Sequence, residues 1–239
     1  MSLIPTPVRN VFERLLEPPV NALIRSNVSP NVITTIGTMV VLGSGLAFGV
    51  GQVRLAGALL LLSGIGDMLD GRVARGSNRV TPFGAFYDST LDRVGDAALF
   101  GGIGMYFVRG GIRADLVIPG LASALVALAA IQIVSYARAR AEGLSLDCKV
   151  GIAQRAERIL GLGVPSLFVG AGPDGLVLFA IVVILGILAS ITVVQRIVHV
   201  YRVTRGAQPT SPDARPARRT QARQLASEVT DLSSERKPQ

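Results

Sequence analysis

The sequence has few of the residues that support disulfide, thiol or zinc chemistry. Its 239 residues include one cysteine, Cys148, and one histidine, His199. A single cysteine cannot form an internal disulfide, and Cys148 and His199 are too far apart along the chain for the ligand spacing of a zinc motif. The chain also has no tryptophan, and only 17% of its residues are charged. This composition argues against an ordinary soluble domain and against thiol or zinc enzymes.

The chain has an excess of basic residues, but the distribution of these residues does not indicate nucleic-acid binding. The formal net charge is +8. Much of the excess lies between apolar stretches or in the polar C-terminal tail, without the interleaved aromatic residues of nucleic-acid-binding surfaces. Anionic lipid headgroups and phosphorylated substrates fit this distribution better.

Long apolar stretches are abundant. Hydrophobic residues make up 49% of the chain, and its mean hydropathy is +0.49. Soluble helices have apolar runs of about 10 to 14 residues, whereas several runs here approach or exceed about 18, which suffices to span a bilayer. We therefore predict an all-α integral membrane protein. The six predicted transmembrane helices are residues 32–50, 55–73, 83–108, 116–139, 156–171 and 176–200. The fifth is the shortest and could instead be tilted or re-entrant.

The segments outside these stretches complete the predicted organisation. Residues 1–30 are interpreted as an amphipathic helix on the membrane surface, the alternative being a mobile basic leader. Its apolar residues recur at helical spacing: Val8, Phe12, Leu15 and Leu16. Residues 31–204 form the predicted membrane domain, and residues 205–239 are predicted to be a disordered basic tail because they are too polar to fold. Arginine and lysine concentrate in alternate connections, so the positive-inside rule predicts a multi-pass protein of the cell membrane with both termini in the cytoplasm.

Four aspartates lie inside the apolar stretches, where each costs several kcal/mol of insertion free energy. Asp67 and Asp70 end the second stretch, and Asp88 and Asp92 lie near the start of the third. Residues three or four apart share one face of a helix, so each pair forms an acidic stripe. The connector between the two stretches is short, which predicts that the helices are antiparallel neighbours and that the stripes converge.

Converging carboxylates need a compensating positive charge, because each raises the pKa of the others. Oxygen ligands select hard divalent cations, and Mg²⁺ is the usual partner of phosphate-bearing substrates, with Mn²⁺ as the alternative. A metal-free alternative is a set of ion pairs with Arg72, Arg75 and Arg93. Small residues at Gly71, Ala74 and Gly84 would let the two helix backbones approach closely.

The spacing of these residues resembles the signature of a known family. The pattern D-x-x-D-G-x-x-A-R-x8-G-x3-D-x3-D is occupied here by Asp67, Asp70, Gly71, Ala74, Arg75, Gly84, Asp88 and Asp92. It resembles the complete signature of the CDP-alcohol phosphotransferases, which have six transmembrane helices, often form homodimers and have their active site at the cytoplasmic membrane surface. The resemblance implies an enzyme that transfers a phosphatidyl group from CDP-diacylglycerol to an alcohol and releases CMP.

The resemblance also implies roles for individual residues. The implied metal ligands are Asp67, Asp70, Asp88 and Asp92, and Asp92 is also the implied general base. The implied contacts of the CDP-lipid are Asn31, Thr34, Gly71, Arg75 and Thr81. The basic residues of the later stretches are similar to those of the phosphatidylinositol phosphate synthases. This similarity implies inositol 1-phosphate as the acceptor, with its phosphate bound by Arg138, Arg155 and Arg196. In two places the chain departs from that group: Arg138 stands where lysine is usual, and Ala156 replaces a proline.

Two alternatives compete with this assignment. Glycerol 3-phosphate is also a phosphorylated alcohol, so a phosphatidylglycerophosphate synthase is the nearest alternative within the family. A non-enzymatic ion carrier or channel is the alternative of another class, because buried carboxylates also mark ion pathways. A channel would distribute its carboxylates through the depth of several helices, whereas these cluster at one end of two predicted helices.

Overall fold

The computed structural model describes residues 17–148, 150–152 and 155–205, and helices dominate this part of the chain. Residues 17–25 form α1. The helices that follow are Pro30–Gly49 (α2), Val53–Gly76 (α3), Pro82–Tyr106 (α4), Val117–Glu142 (α5), Arg155–Phe168 (α6) and Leu176–Thr204 (α7). Short π and 3-10 segments at Phe107–Gly111, Ala114–Leu116 and Pro173–Gly175 lie in the connections. The all-α prediction is therefore confirmed for the described residues.

Two terminal predictions fall largely outside the described residues. Of the predicted amphipathic helix, residues 17–30 are described, while Val8, Phe12, Leu15 and Leu16 are not. The predicted tail likewise lies beyond the described residues, except for Arg205. By its internal contacts the chain divides into two units, Met1–His199 and Val200–Gln239. The described part of the second unit is the last turn of α7 and Arg205.

Each predicted membrane stretch coincides with one of the helices α2 to α7, but the helices differ in length and polarity. Among the described residues, three helical regions are long and apolar enough to cross a bilayer: Pro30–Gly49, Ala114–Glu142 and Pro173–Thr204. Helix α6 has 14 residues, a length of about 21 Å, which is shorter than the roughly 30 Å hydrocarbon core of a bilayer. The chain therefore contains membrane-capable helices, and the count of six crossings stays a prediction.

Local sequence explains where the helices around the acidic residues begin. Pro30 and Pro82 open α2 and α4, positions that suit the fixed φ of proline and its missing N–H group. Thr81 caps α4, because its hydroxyl oxygen accepts a hydrogen bond from the Gly84 N–H at 3.0 Å. Between α3 and α4, Asn78 takes a left-handed conformation with φ 52°, which asparagine tolerates better than most residues.

The packing of the acidic helices differs from the prediction in one respect. Helix α2 packs against both α3 and α4, while α3 also packs against α6 and α4 against α5. The prediction that α3 and α4 are direct packing neighbours is wrong, because α2 provides the main surface that joins them. A main apolar core that includes Phe48, Leu60 and Ile103 holds these helices together.

Helices α2 and α4 cross closely at glycine residues. A Cβ atom at Gly102 would lie 2.0 Å from the carbonyl oxygen of Gly45, and one at Gly45 would lie 2.5 Å from the carbonyl oxygen of Ala98. Neither position can hold a larger residue unless the helices separate. This crossing joins α2 and α4, whereas the sequence predicts a close approach of α3 and α4 at Gly71 and Gly84, whose nearest neighbours in the structure are side chains.

Replacing Gly102 with alanine should lower the melting temperature, because the new methyl group would push α4 away from Gly45 at an overpacking cost of about 1–3 kcal/mol. The matched control is Gly101→Ala, since a Cβ atom there would have no heavy atom within 4 Å. The control should keep or slightly raise stability through its better helix propensity, worth up to about 1 kcal/mol. A thiol-reactive dye can follow unfolding, because Cys148 is buried. Equal melting temperatures for the two variants would contradict the close crossing.

Candidate active site

The predicted metal ligands come together from the two helices that α2 joins. Asp67 and Asp70 lie on α3, and Asp88 and Asp92 lie on α4. Asp67, Asp70 and Asp88 are close enough to repel one another electrostatically. Asp92 is linked to Asp67 through the guanidinium group of Arg155, which contacts both. The two acidic stripes therefore converge, as the sequence predicts.

A cavity of about 280 Å³ lies beside these carboxylates, between α2, the end of α3 and the start of α4. Its wall includes Asp70 and Asp88. The residues predicted to contact the CDP-lipid all line the same cavity: Asn31, Thr34, Gly71, Arg75 and Thr81. The structure thus brings this predicted set together next to two of the acidic residues.

Thr34 connects the cavity wall to the acidic group. Its hydroxyl donates a hydrogen bond of 2.8 Å to Oδ2 of Asp70, and both residues are buried. One residue further along α2, the hydroxyls of Thr35 and Tyr87 lie 3.0 Å apart. These contacts join α2 to α3 and to α4, so α2 fixes the orientation of Asp70 and the width of the cavity.

The two glycines of the predicted signature line the cavity. A Cβ atom at Gly84 would lie 3.1 Å from Oγ1 of Thr81 and 3.4 Å from Oδ1 of Asn31. A Cβ atom at Gly71 would lie 3.4 Å from Nη1 of Arg75. A larger side chain at either position would crowd residues predicted to bind the nucleotide. The missing side chains therefore keep space for a ligand, which is a different role from the helix packing that the sequence suggests.

Arg155 lies among the carboxylates and neutralises part of their charge. Its Nε atom is 2.8 Å from Oδ2 of Asp67, and its Nη1 atom contacts Oδ1 of Asp92. Both nitrogens are buried. Arg155 is therefore the counter-ion of Asp67 and Asp92. The metal-free alternative consists of ion pairs of the aspartates with Arg72, Arg75 and Arg93. Of these arginines, Arg93 lies 3.8 Å from Asp92.

The donor atoms fit a hard divalent cation, although the side chains do not surround a common point. Among the described residues, no group of three or more histidine, cysteine, aspartate or glutamate side chains is arranged to hold a metal ion. The chemistry of the set is nevertheless suitable, because it consists of carboxylate oxygens that repel one another and attract a cation. The residues that would hold the ion are Asp67, Asp70, Asp88 and Asp92.

The other two arginines predicted to bind the acceptor phosphate lie apart from the carboxylates. Arg196 is buried; its Nε atom donates to the carbonyl oxygen of Val150 at 3.0 Å, and its Nη1 atom donates to that of Val134. Arg138 is exposed and pairs with Glu142 at 2.8 Å. Arg138 and Arg196 are within electrostatic range of each other. In the structure, Arg155 therefore lies apart from Arg138 and Arg196, the other two predicted ligands of the acceptor phosphate.

Sequence reasoning missed an ionic network next to the site. Asp96 accepts charged contacts of 3.3 Å from Arg93 and from Arg158. The signal was visible, since Asp96 continues the spacing of Asp88 and Asp92 along one helix face. Arg158 follows Arg155 by one helical turn, but nothing in the sequence joins it to Asp96, because the two lie on different helices.

Comparisons with known proteins agree on one family. A family model described as CDP-alcohol phosphatidyltransferase matches residues 27–204. The chain is 40% identical over 199 residues to the phosphatidylinositol phosphate synthase of Cutibacterium acnes, an alignment that covers 80% of this chain and 94% of the relative. It is 37% identical over 194 residues to the archaetidylinositol phosphate synthase of Methanothermobacter thermautotrophicus, covering 81% of this chain and 92% of the relative.

Solved structures give a consistent result. The phosphatidylinositol phosphate synthase of Mycobacterium tuberculosis with CDP-DAG bound has a TM-score of 0.68 and 30% identity, covering 79% of this chain and 94% of that chain. The same enzyme in complex with manganese and citrate also has a TM-score of 0.68 and 30% identity, covering 78% of this chain and 88% of that chain.

Replacing Arg155 with glutamine should strengthen Mn²⁺ binding, because the change removes the cation that now neutralises Asp67 and Asp92. We expect the Kd to fall by about tenfold, which corresponds to roughly 1.4 kcal/mol. The electron paramagnetic resonance signal of free Mn²⁺ during titration of the purified protein measures this Kd. The control Arg138→Gln removes an exposed arginine that pairs with Glu142, and it should leave the Kd nearly unchanged. Unchanged or weaker Mn²⁺ binding by the Arg155 variant would refute the counter-ion role.

Proposed function

Because the chain belongs to the CDP-alcohol phosphatidyltransferase family, we propose that it transfers the phosphatidyl group of CDP-diacylglycerol to inositol 1-phosphate, giving phosphatidylinositol phosphate and CMP. The observation that carries this proposal is the cavity in which the predicted CDP-lipid residues lie beside Asp70 and Asp88. The choice of acceptor is supported by relatives named phosphatidylinositol phosphate synthase and archaetidylinositol phosphate synthase. Membership of an enzyme family leaves the carrier or channel alternative without support.

In this proposal the cavity binds the CDP end of the donor lipid. Arg75 brings a positive charge to the pyrophosphate, and Asn31, Thr34 and Thr81 offer polar groups to the nucleotide. Gly71 leaves room for the ligand next to Arg75. The proposed ligands of a divalent cation, Mg²⁺ or Mn²⁺, are the four aspartates of the signature. When bound, the ion supplies charge neutralisation for the pyrophosphate oxygens.

Asp92 is the proposed general base. It accepts the proton of the acceptor hydroxyl, whose oxygen forms a bond to the phosphorus that carries diacylglycerol. The bond from that phosphorus to the bridging oxygen breaks, and CMP leaves with the electron pair. Asp92 suits this role because it contacts Arg155, a proposed ligand of the acceptor phosphate. The base and the phosphate site are therefore adjacent, which orients the attacking hydroxyl.

The proposed phosphate ligands are Arg138, Arg155 and Arg196. A guanidinium group has five N–H donors, and the contacts of Arg196 with Val134 and Val150 use two of them. Arg158 lies within electrostatic range of both Arg155 and Arg196, so one basic region connects the two. Several of these positive charges would stabilise a bound phosphate dianion at once.

The proposal also includes the arrangement of the chain in the membrane. We propose six crossings within residues 31–204, with both termini and the active site on the cytoplasmic side. The asymmetric distribution of arginine and lysine supports this orientation. The family match over residues 27–204 supports the limits of the membrane domain. A homodimer is proposed from the resemblance to the family.

Purified protein supplied with CDP-diacylglycerol and Mg²⁺ should release CMP when inositol 1-phosphate is added, and Asp92→Asn should lower kcat by about a hundredfold or more, the usual range for loss of a general base. The control Asp115→Asn changes an exposed aspartate that pairs with Arg113, and it should keep wild-type activity. If glycerol 3-phosphate supports CMP release and inositol 1-phosphate does not, the proposed acceptor is wrong. A lack of CMP release with any alcohol would reject the transferase function.

Replacing Thr34 with valine should raise the KM for CDP-diacylglycerol and lower kcat by about tenfold, because Asp70 would lose a buried hydrogen bond worth roughly 1–3 kcal/mol. Thr38→Val is the matched control, since the Thr38 hydroxyl donates to the carbonyl oxygen of Thr34 one turn away on the same helix. Steady-state CMP release measures both variants. If the two substitutions have the same effect, the hydrogen bond to Asp70 has no special role.

A further inference from the structure

Charged side chains next to the site form a row in which acidic and basic groups alternate. In order, the row consists of Asp67, Arg155, Asp92, Arg93, Asp96 and Arg158. The row runs from α3 through α6 and α4 and returns to α6. Its first three members belong to the site described above. Its last three are not among the site residues predicted from the sequence.

Asp96 and Arg158 are the most deeply placed pair of the row. Nη1 of Arg158 donates to Oδ2 of Asp96 at 3.3 Å, and the side chains are 11% and 13% exposed, respectively. Arg93 and Arg155 are close enough to repel Arg158 electrostatically. Within the described part of the chain, Nε of Arg158 is buried without a hydrogen-bond partner. Arg158 therefore depends on Asp96 for compensation, because an uncompensated buried charge is strongly unfavourable.

Arg93 is held in place by the neighbouring helix α5. Its Nη1 atom contacts the Ser135 hydroxyl and lies 3.4 Å from Oε1 of Gln132. In return, Nε2 of Gln132 donates to the carbonyl oxygen of Arg93 at 3.2 Å. These contacts fix Arg93 between Asp92 and Asp96, so that Asp96 remains in place to receive Arg158.

The pair sets the position of the first turn of α6. Arg155 and Arg158 are three residues apart on α6, and Asp92 and Asp96 are four apart on α4, so each pair shares a helix face. The Asp92–Arg155 and Asp96–Arg158 contacts therefore join the two helices at adjacent turns. A shift of Arg158 would move Arg155 relative to Asp92.

We propose that Asp96 and Arg158 are a positioning pair that holds Arg155 beside Asp92 and thereby sets where the acceptor phosphate lies relative to the proton-accepting carboxylate. This inference rests on the proposed function. Neither residue lines the cavity assigned to the CDP-lipid. The pair thus acts on the acceptor and not on the donor, and this selectivity distinguishes it from a general structural contact.

The test compares Asp96→Asn, Arg158→Gln and the double variant with wild type, measuring CMP release while each substrate is varied. Each single variant should raise the KM for inositol 1-phosphate by about tenfold and leave the KM for CDP-diacylglycerol within about twofold. The double variant should be no worse than the more affected single variant, because the two side chains act as one unit. The control pair Asp115→Asn and Arg113→Gln removes an exposed ion pair of 2.6 Å between α4 and α5, and it should change neither KM.

Conservative variants show whether a change in KM results from unfolding of the protein. Asp96→Glu and Arg158→Lys keep the charges and should retain wild-type melting temperatures, with smaller increases in the acceptor KM than the neutral variants. Equal changes in both KM values, or single effects that multiply in the double variant, would overturn the positioning role. A wild-type protein that uses glycerol 3-phosphate instead rejects the proposed acceptor alone, since the same split between KM values can then be measured with that alcohol.

Discussion

The ion pairs of Arg155 with Asp67 and Asp92 are the interaction on which the site depends. They join α6 to α3 and α4. Without Arg155, the carboxylates of Asp67 and Asp92 would repel each other, and this repulsion is strong in a medium of low dielectric constant. In the proposed function this guanidinium also binds the acceptor phosphate, and it competes with a divalent cation for the carboxylates of Asp67 and Asp92. Charge compensation by Arg155 therefore stabilises the acidic group in the absence of a ligand.

Helix α2 makes this arrangement possible because it contacts both acidic helices. The glycine crossing at Gly45 and Gly102 brings α4 close to α2, and the hydrogen bond from Thr34 to Asp70 ties α2 to α3. The cavity that we propose binds the CDP-lipid lies between these three helices.

The helices and the grouping of the residues of the candidate site could largely be predicted because the evidence is local. Apolar runs predict the helices, and spacings of three and four residues predict which aspartates share a face. The family resemblance grouped Gly71, Arg75 and Thr81 as contacts of the CDP-lipid, and the structure brings these three residues to one cavity. The basic region was harder to predict. Arg138 and Arg196 were grouped with Arg155 by resemblance, whereas Arg196 contacts the backbone of Val134 and Val150. Which donors of an arginine are already used depends on partners distant in the chain.

The sequence by itself determined that the chain is helical and apolar, that its aspartates form two stripes, and that these stripes carry the spacing of a phosphatidyltransferase family. These properties follow from the period of the helix and from side-chain chemistry, which any short segment displays. Only the tertiary structure decided that α2 joins the acidic helices, that Gly71 and Gly84 line a cavity, and that Arg158 pairs with Asp96. Helix periodicity fixes the direction of a side chain on its own helix, but the partner that it meets depends on how separate helices pack.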